Sequence, residues 1–232
     1  MLRTRMPRFL ENGDRMTQRE FHRRYEDYPE DVKFELIGGT VYMTFPLRRP
    51  HGRYHAELSG VFWLYKEGTP GVEVLDNTTM ILGKESEPQP DLALRILTEY
   101  GGQSRTNKKE YIVGAAELMA EIVHAKRSIA MHEKRVDYER AGVLEYIVVC
   151  LEEYEIHWFD FQTGGELKAD VGGIFRSQAF PGLWLDGRAL LAGDSRRLIE
   201  VIRSGLASPE HTAFVKRLQA ARRRRLANGR RR

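Results

Sequence analysis

Apolar positions along the chain recur first at helical spacing and then at strand spacing. Thr17-Gln18-Arg19-Glu20 has the form of a capping box, where hydroxyl and carboxylate satisfy free backbone N–H groups, and predicts a short helix to about Tyr25. Phe34-Glu35-Leu36-Ile37 and Thr40-Val41-Tyr42-Met43 flank Gly38-Gly39, the pattern of a hairpin on a two-residue turn. Tyr54, Leu58, Val61, Phe62 and Tyr65 share one face of a helix over 51–66, ended by Gly68 and Pro70. Strands are predicted over 72–76, 79–82 and 91–96. The run 118–123 is apolar almost throughout, as in a central strand buried on both faces. A helix over 128–141 is expected to stop at Gly142, and the strands 145–150 and 155–161 are split by Glu152-Glu153. Short helices follow Asp186. Residues 1–16 read as a frayed basic end, and 99–114 as a polar, flexible loop near a site. Strands and helices interleave around a mixed sheet, so the fold class is α/β or α+β.

Composition narrows this picture. With 41% hydrophobic and 10% aromatic residues, a chain of 232 residues can bury a sizeable core. One domain with appendages fits: 1–16, a main domain over 17–192, a helical extension over 193–215 and a basic tail over 216–232. The single cysteine, Cys150, excludes an intrachain disulfide and cysteine-rich zinc sites, and makes a reducing compartment the expectation. No stretch approaches a membrane span or a leader's apolar region, so a soluble cytoplasmic protein is expected. Charge is unevenly spread. Nine basic residues and no acid lie between Lys216 and Arg232, which leaves the remainder at −5 in a chain of net charge +4. Arg222, Arg223, Arg224 and Arg225 are therefore candidates for touching nucleic acid, with a solvated tail as the even alternative.

The candidate chemistry lies in charged residues set among apolar ones. Asp91 opens a strand after Gln89-Pro90, with a plain turn residue after Pro90 as the even alternative, and Glu121 interrupts Leu118-Met119-Ala120-Glu121-Ile122-Val123. Burying a charge is costly unless it is paired or binds a metal. Lys134 shares a helix face with Met131 and Tyr138, so it points at the sheet and wants an anionic partner. Glu35, between Phe34 and Leu36, is a fourth candidate, although strand alternation explains it almost as well. Two acids and a lysine suit phosphodiester hydrolysis, which needs an activated water and a charge to offset the pentacoordinate phosphate. Mg²⁺, with Mn²⁺ as substitute, would rest on Asp91, Glu121 and the backbone carbonyl of Ile122. Competing motifs are missing: the chain has no Gly-x-x-x-x-Gly-Lys loop, no Gly-x-Gly-x-x-Gly and no Gly-x-Ser-x-Gly elbow. His51 and His55 stand four apart, and His124 and His132 flank the Glu121 strand. Neither pair brings a full zinc ligand set, so all four read as surface or core histidines, with a supporting role open to His51.

Over about 17–186 the chain resembles the Uma-two family of restriction-endonuclease-like proteins, within the PD-(D/E)XK nuclease superfamily. The resemblance rests on Phe34-Glu35-Leu36-Ile37-Gly38-Gly39, His51, Gln89-Pro90-Asp91-Leu92, Glu121-Ile122-Val123, 134–138, Ala141-Gly142-Val143-Leu144-Glu145-Tyr146 and Phe180-Pro181-Gly182-Leu183. It implies a mixed sheet flanked by helices, with Asp91 and Glu121 as metal ligands. The superfamily's lysine position holds Val123 here, and Lys134 matches a lysine moved to the following helix. Lys126 is its rival, and 124–128 departs from the family's pattern. The leading expectation is a Mg²⁺-dependent endonuclease acting on DNA, with a homodimer suited to double-strand breaks. The alternative is a catalytically silent module binding nucleic acid or a partner protein.

Overall fold

The computed structural model describes residues 9–29, 32–44, 48–125 and 129–229. The elements up to the site are α1 (Gln18–Tyr25), β1 (Phe34–Ile37), β2 (Thr40–Met43), α2 (Arg49–Gly68), β3 (Val72–Asp76), β4 (Met80–Ile81) and β5 (Leu92–Ile96). Next come β6 (Arg105–Thr106), β7 (Ile112–Val113), β8 (Leu118–Val123), α3 (Glu133–Ala141), β9 (Glu145–Cys150) and β10 (Glu155–Asp160). The chain closes with β11 (Gly165–Glu166), β12 (Ile174–Arg176), β13 (Trp184–Asp186), α4 (Gly187–Ala192), α5 (Ser195–Leu206) and α6 (Pro209–Gly229).

Six strands form the central sheet in the order β11-β10-β9-β8-β5-β3. Within this sheet β8 and β9 are the parallel pair, which requires the crossover that α3 provides. β8 is thus the inner strand its apolar run predicts. One face packs against α2 and the C-terminal helices through Leu58, Phe62, Leu94, Ala120, Ile147 and Trp158. The other, under α3, holds Ala93, Met119, Tyr138, Tyr146 and Val148. Side chains alternate along a strand, so Asp91 and Glu121 share the face of Ala93 and Met119, toward α3. The β1–β2 hairpin turns on Gly38 and Gly39, both with positive φ (55° and 77°), and packs with Phe21 of α1 in a separate apolar cluster.

Four expectations change. Residues 9–16 are tied down rather than frayed: Leu10 is buried, and the Gly13 and Met16 N–H groups donate to Val41 O and Gly39 O. The segment 99–114 is not a free loop, because β6 and β7 build a three-stranded sheet with β4. These strands are two residues long, too short for a periodic signal. The helix expected from Ser128 begins at Glu133, after a 3-10 turn at Ile129–Met131; residues 126–128, and with them Lys126, lie outside the described residues. The boundary expected at Lys216 falls inside α6, where Phe214 and Leu218, one turn apart, both enter the main core. Among the described residues no helix is long and apolar enough to cross a membrane.

Candidate active site

The site forms where β1, β5, β8 and α3 converge. The β1 strand is clipped to the segment before β5 by Glu87 N–H donating to Leu36 O (2.8 Å) and Leu36 N–H to Glu87 O (3.2 Å). This sets Glu35 beside Gln89, whose N–H donates to Glu35 Oε1 at 2.7 Å. Lys134, in the first turn of α3, reaches down to the sheet. Its Nζ donates to Glu35 Oε1 at 2.9 Å and to Glu121 Oε1 at 2.8 Å. All three side chains are buried, with 4–6% exposure, so this ion pair works with little solvent screening. Tyr138, one turn after Lys134, donates its hydroxyl to the same Glu121 oxygen at 2.9 Å.

Asp91 lies alongside. Leu92 pairs with Ala120, so Asp91 and Glu121, one step outward on each strand, are neighbours across the ladder. Asp91 Oδ2 accepts from Ile122 N–H at 2.7 Å and lies 3.1 Å from His51 Nε2. Within a strand the N–H and C=O of one residue point the same way, so the Ile122 carbonyl also faces Asp91. His55 Nε2 stands 3.0 Å from the backbone oxygen of Asp91 and 3.1 Å from Asp76 Oδ1. Both histidines therefore brace Asp91 from α2: the supporting role left open to His51 is matched by this geometry, and His55, read only as a surface or core histidine, joins it. Their four-residue spacing puts them on one helix face, and that was the available signal. His124 and His132 are exposed.

Burial pushes the Glu121 carboxyl up, from 4.5 to about 8, against the pull of Lys134, and the Asp91 and Glu35 carboxylates add to the rise. Burial also acts on Lys134, pulling it down, but Glu121 and Glu35 outweigh it and hold the ammonium above its usual 10.5. Asp91 goes the other way. Burial raises it, yet His51, Ile122 N–H and Lys134 together leave it below its usual 3.8. Burial and Glu121 keep the Tyr138 hydroxyl far above 10, so it stays a donor. Asp91 is thus held as an anion, whereas burial opposes the charge on Glu121, which Lys134 and any further cation nearby favour.

The donor chemistry fits a hard divalent ion. The bonds above occupy Oε1 of Glu121 and Oδ2 of Asp91; the second oxygen of each carboxylate takes no part in them. Among the described residues no group of three or more His, Cys, Asp or Glu is arranged to hold a metal. An ion here would rest on two carboxylates, the Ile122 carbonyl and water, a set that suits Mg²⁺.

Of the residues singled out in the sequence, the fold brings Glu35, Asp91, Glu121, Ile122 and Lys134 together, but not the arginines. Arg222 to Arg225 are exposed on α6, and the Arg222 guanidinium sits 5.2 Å over the Tyr100 ring. Tyr100 follows the C-terminal end of β5, whereas Asp91 precedes its start. The two ends are separated by at least ~17 Å of strand. Tyr138 and Gln89, which orient Glu121 and Glu35, were visible in the sequence only as neighbours of other candidates.

This fold and this cluster place the chain in the restriction-endonuclease-like class. The chain belongs to the Uma2 family, described as "putative restriction endonuclease", which it matches over residues 19–188. A solved structure, a "putative nuclease belonging to DUF820" from Anabaena variabilis ATCC 29413, is similar in fold with a TM-score of 0.57. It shares 14% identity, with 81% of this chain and 99% of that chain covered. No curated protein matches the chain.

Proposed function

We propose that the protein is a metal-dependent endonuclease that hydrolyses phosphodiester bonds in DNA. The observation that carries this reading is Lys134, buried between Glu35 and Glu121 beside the braced Asp91. Asp91, Glu121 and the Ile122 carbonyl would hold Mg²⁺ or Mn²⁺, which when bound supplies Lewis-acid polarisation and offsets charge on the phosphate. Lys134 sits within reach of the same point. It orients the attacking water and donates to a non-bridging phosphate oxygen as negative charge builds there. Glu35 and its Gln89 N–H bond keep that ammonium in place, and Tyr138 fixes the rotation of Glu121. His51 and Ile122 N–H hold Asp91 so that its other oxygen can turn to the cation.

Membership of the family supports the reading, as does the oxygen-rich donor set. The distance from the site to the arginines speaks against a silent module driven by the basic end. Nicking of supercoiled plasmid in Mg²⁺, Mn²⁺ or EDTA, beside Glu121→Ala and with an RNA substrate in parallel, tests it. Metal-dependent DNA nicking that disappears in the variant is expected. Equal nicking by both proteins would remove Glu121 from the site, and cleavage of RNA alone would reassign the substrate.

A further inference from the structure

A cavity of about 550 Å³ opens next to the site, lined by His22, Tyr25, Tyr28, Thr79, Glu87, Gln89 and Tyr111 among others. Its wall continues directly into the catalytic cluster, because Gln89 holds Glu35 through its backbone while its side chain enters the cavity. The Gln89 Nε2 is spent on Tyr25 OH (3.1 Å) and Thr79 Oγ1 (3.0 Å), whereas its amide oxygen takes no part in these bonds. Glu87 is buried there, fixed by His22 Nδ1 at 2.8 Å and by Gln18 Nε2 at 2.7 Å, and Glu26 lies at the rim. Tyr111 packs edge-on to His22, with centroids 4.8 Å apart. The cavity thus combines aromatic walls with hydrogen-bond acceptors. Glu26 is paired with Lys109 at 2.6 Å, but the lining named for the cavity holds two carboxylates and no lysine or arginine, which disfavours a phosphate inside it, so a neutral ring presenting donors is the better occupant.

We propose that this cavity receives one unstacked nucleobase of the substrate strand, beside the scissile phosphate, and favours bases that carry an exocyclic amino group. The assignment rests on the nuclease reading and deepens it, adding a determinant of sequence preference beside the candidate site. Stacking on tyrosine supplies affinity for any base, and acceptors such as the Gln89 amide oxygen and the carboxylates select for amino hydrogens over thymine. An enzyme acting within a duplex would flip the nucleotide to fill the cavity, most readily at a weakened pair.

The test is anisotropy in EDTA, where no cleavage intervenes, using an oligothymidylate with one central dA, dC, dT or abasic residue. Wild-type protein is expected to bind the dA and dC strands roughly tenfold tighter than plain oligothymidylate. The abasic strand should bind weakest, by roughly 5- to 100-fold relative to dA. Tyr111→Ala should collapse these differences, and Tyr111→Phe should keep them. No discrimination among the strands, no binding at all, or an unchanged preference in Tyr111→Ala would each overturn the assignment. Free deoxyadenosine that competes at equal concentration would overturn it too, in favour of a free-nucleoside site. The nuclease reading stands or falls separately, on plasmid nicking by wild type and Glu121→Ala.

Discussion

Glu121 on β8 and Glu145 on β9 are both closed off from solvent, on adjacent parallel strands, yet their surroundings differ in one respect. Glu145 accepts four bonds, two on each oxygen. Trp158 Nε1 and Ser177 Oγ donate to Oε2, and the Gln178 and Ala179 N–H groups to Oε1. Three of these bonds tie β9 to the turn after β12, and the Trp158 bond ties it to β10. Glu121 accepts from Lys134 and Tyr138 on a single oxygen. A carboxylate whose lone pairs are all filled by its own fold is a structural clamp. One held on a single oxygen by its partners among the described residues leaves the other oxygen for a ligand, so burial alone does not separate a clamp from a candidate metal ligand.

The largest expected effect separates the two directly. Glu121→Ala should lower metal-dependent nicking by ~10³-fold or more while the thermal unfolding midpoint in EDTA stays near or above that of wild type. Relief of crowding among Glu35, Asp91 and Glu121 is the reason the fold should tolerate it. Glu145→Ala should do the reverse. It strands four donors, including the Trp158 indole, at a cost of about 3–5 kcal/mol, and leaves nicking per folded molecule unchanged. Denaturant melts beside the nicking assay read both. A Glu145 variant that folds like wild type but cannot nick would erase the distinction.

A smaller effect concerns how firmly Glu121 is held. Tyr138→Phe removes one of its two donors and keeps the ring that packs on Tyr146 at 5.0 Å. Apparent Mn²⁺ affinity should weaken by about 10- to 100-fold, with little change in stability. Unchanged affinity would mean that Lys134 alone orients the carboxylate.

The sequence made much of this fold legible. α2 and the six-residue strand β8 carry their periodicity in large apolar residues, and the hairpin announces itself through Gly38-Gly39. The strap at 9–16 and the strands β6 and β7 gave no such signal, since they are held by backbone bonds to distant residues. Glu35, Asp91, Glu121 and Lys134 stood out because apolar neighbours forbade exposure. The same logic fits Glu117, after Ala115-Ala116, and Glu145, before Tyr146, equally well. Sequence spacing shows that an acid is buried, but not which lone pairs its partners fill. Those partners come from 13 and from 32 to 34 residues away for Glu145, and from 13 and 17 for Glu121.

The smallest effect tests Glu117, which belongs with Glu145. Its two oxygens accept from the Ile96 N–H at 2.8 Å and the Gln103 N–H at 3.0 Å. Burial pushes its carboxyl above the usual 4.5 in spite of these donors. Between 4.5 and that raised value the folded protein holds a proton that the unfolded chain has released. The Glu117 contribution to stability must therefore fall as pH rises through this window, by at most about 1.4 kcal/mol per pH unit, in the same sense as the raised Glu121, Glu145, Glu87 and Asp137. Asp91 contributes in the opposite sense but only below its usual 3.8, so the two windows do not overlap. Glu117→Gln should lower stability at every pH, because its amide nitrogen meets a backbone N–H, and should make the slope above pH 4.5 shallower by the share that Glu117 contributes. Denaturant melts of both proteins from pH 4.5 to 7 give the comparison. Identical slopes would show that the two backbone donors outweigh burial, and Glu117 would then be an ordinary ionised clamp.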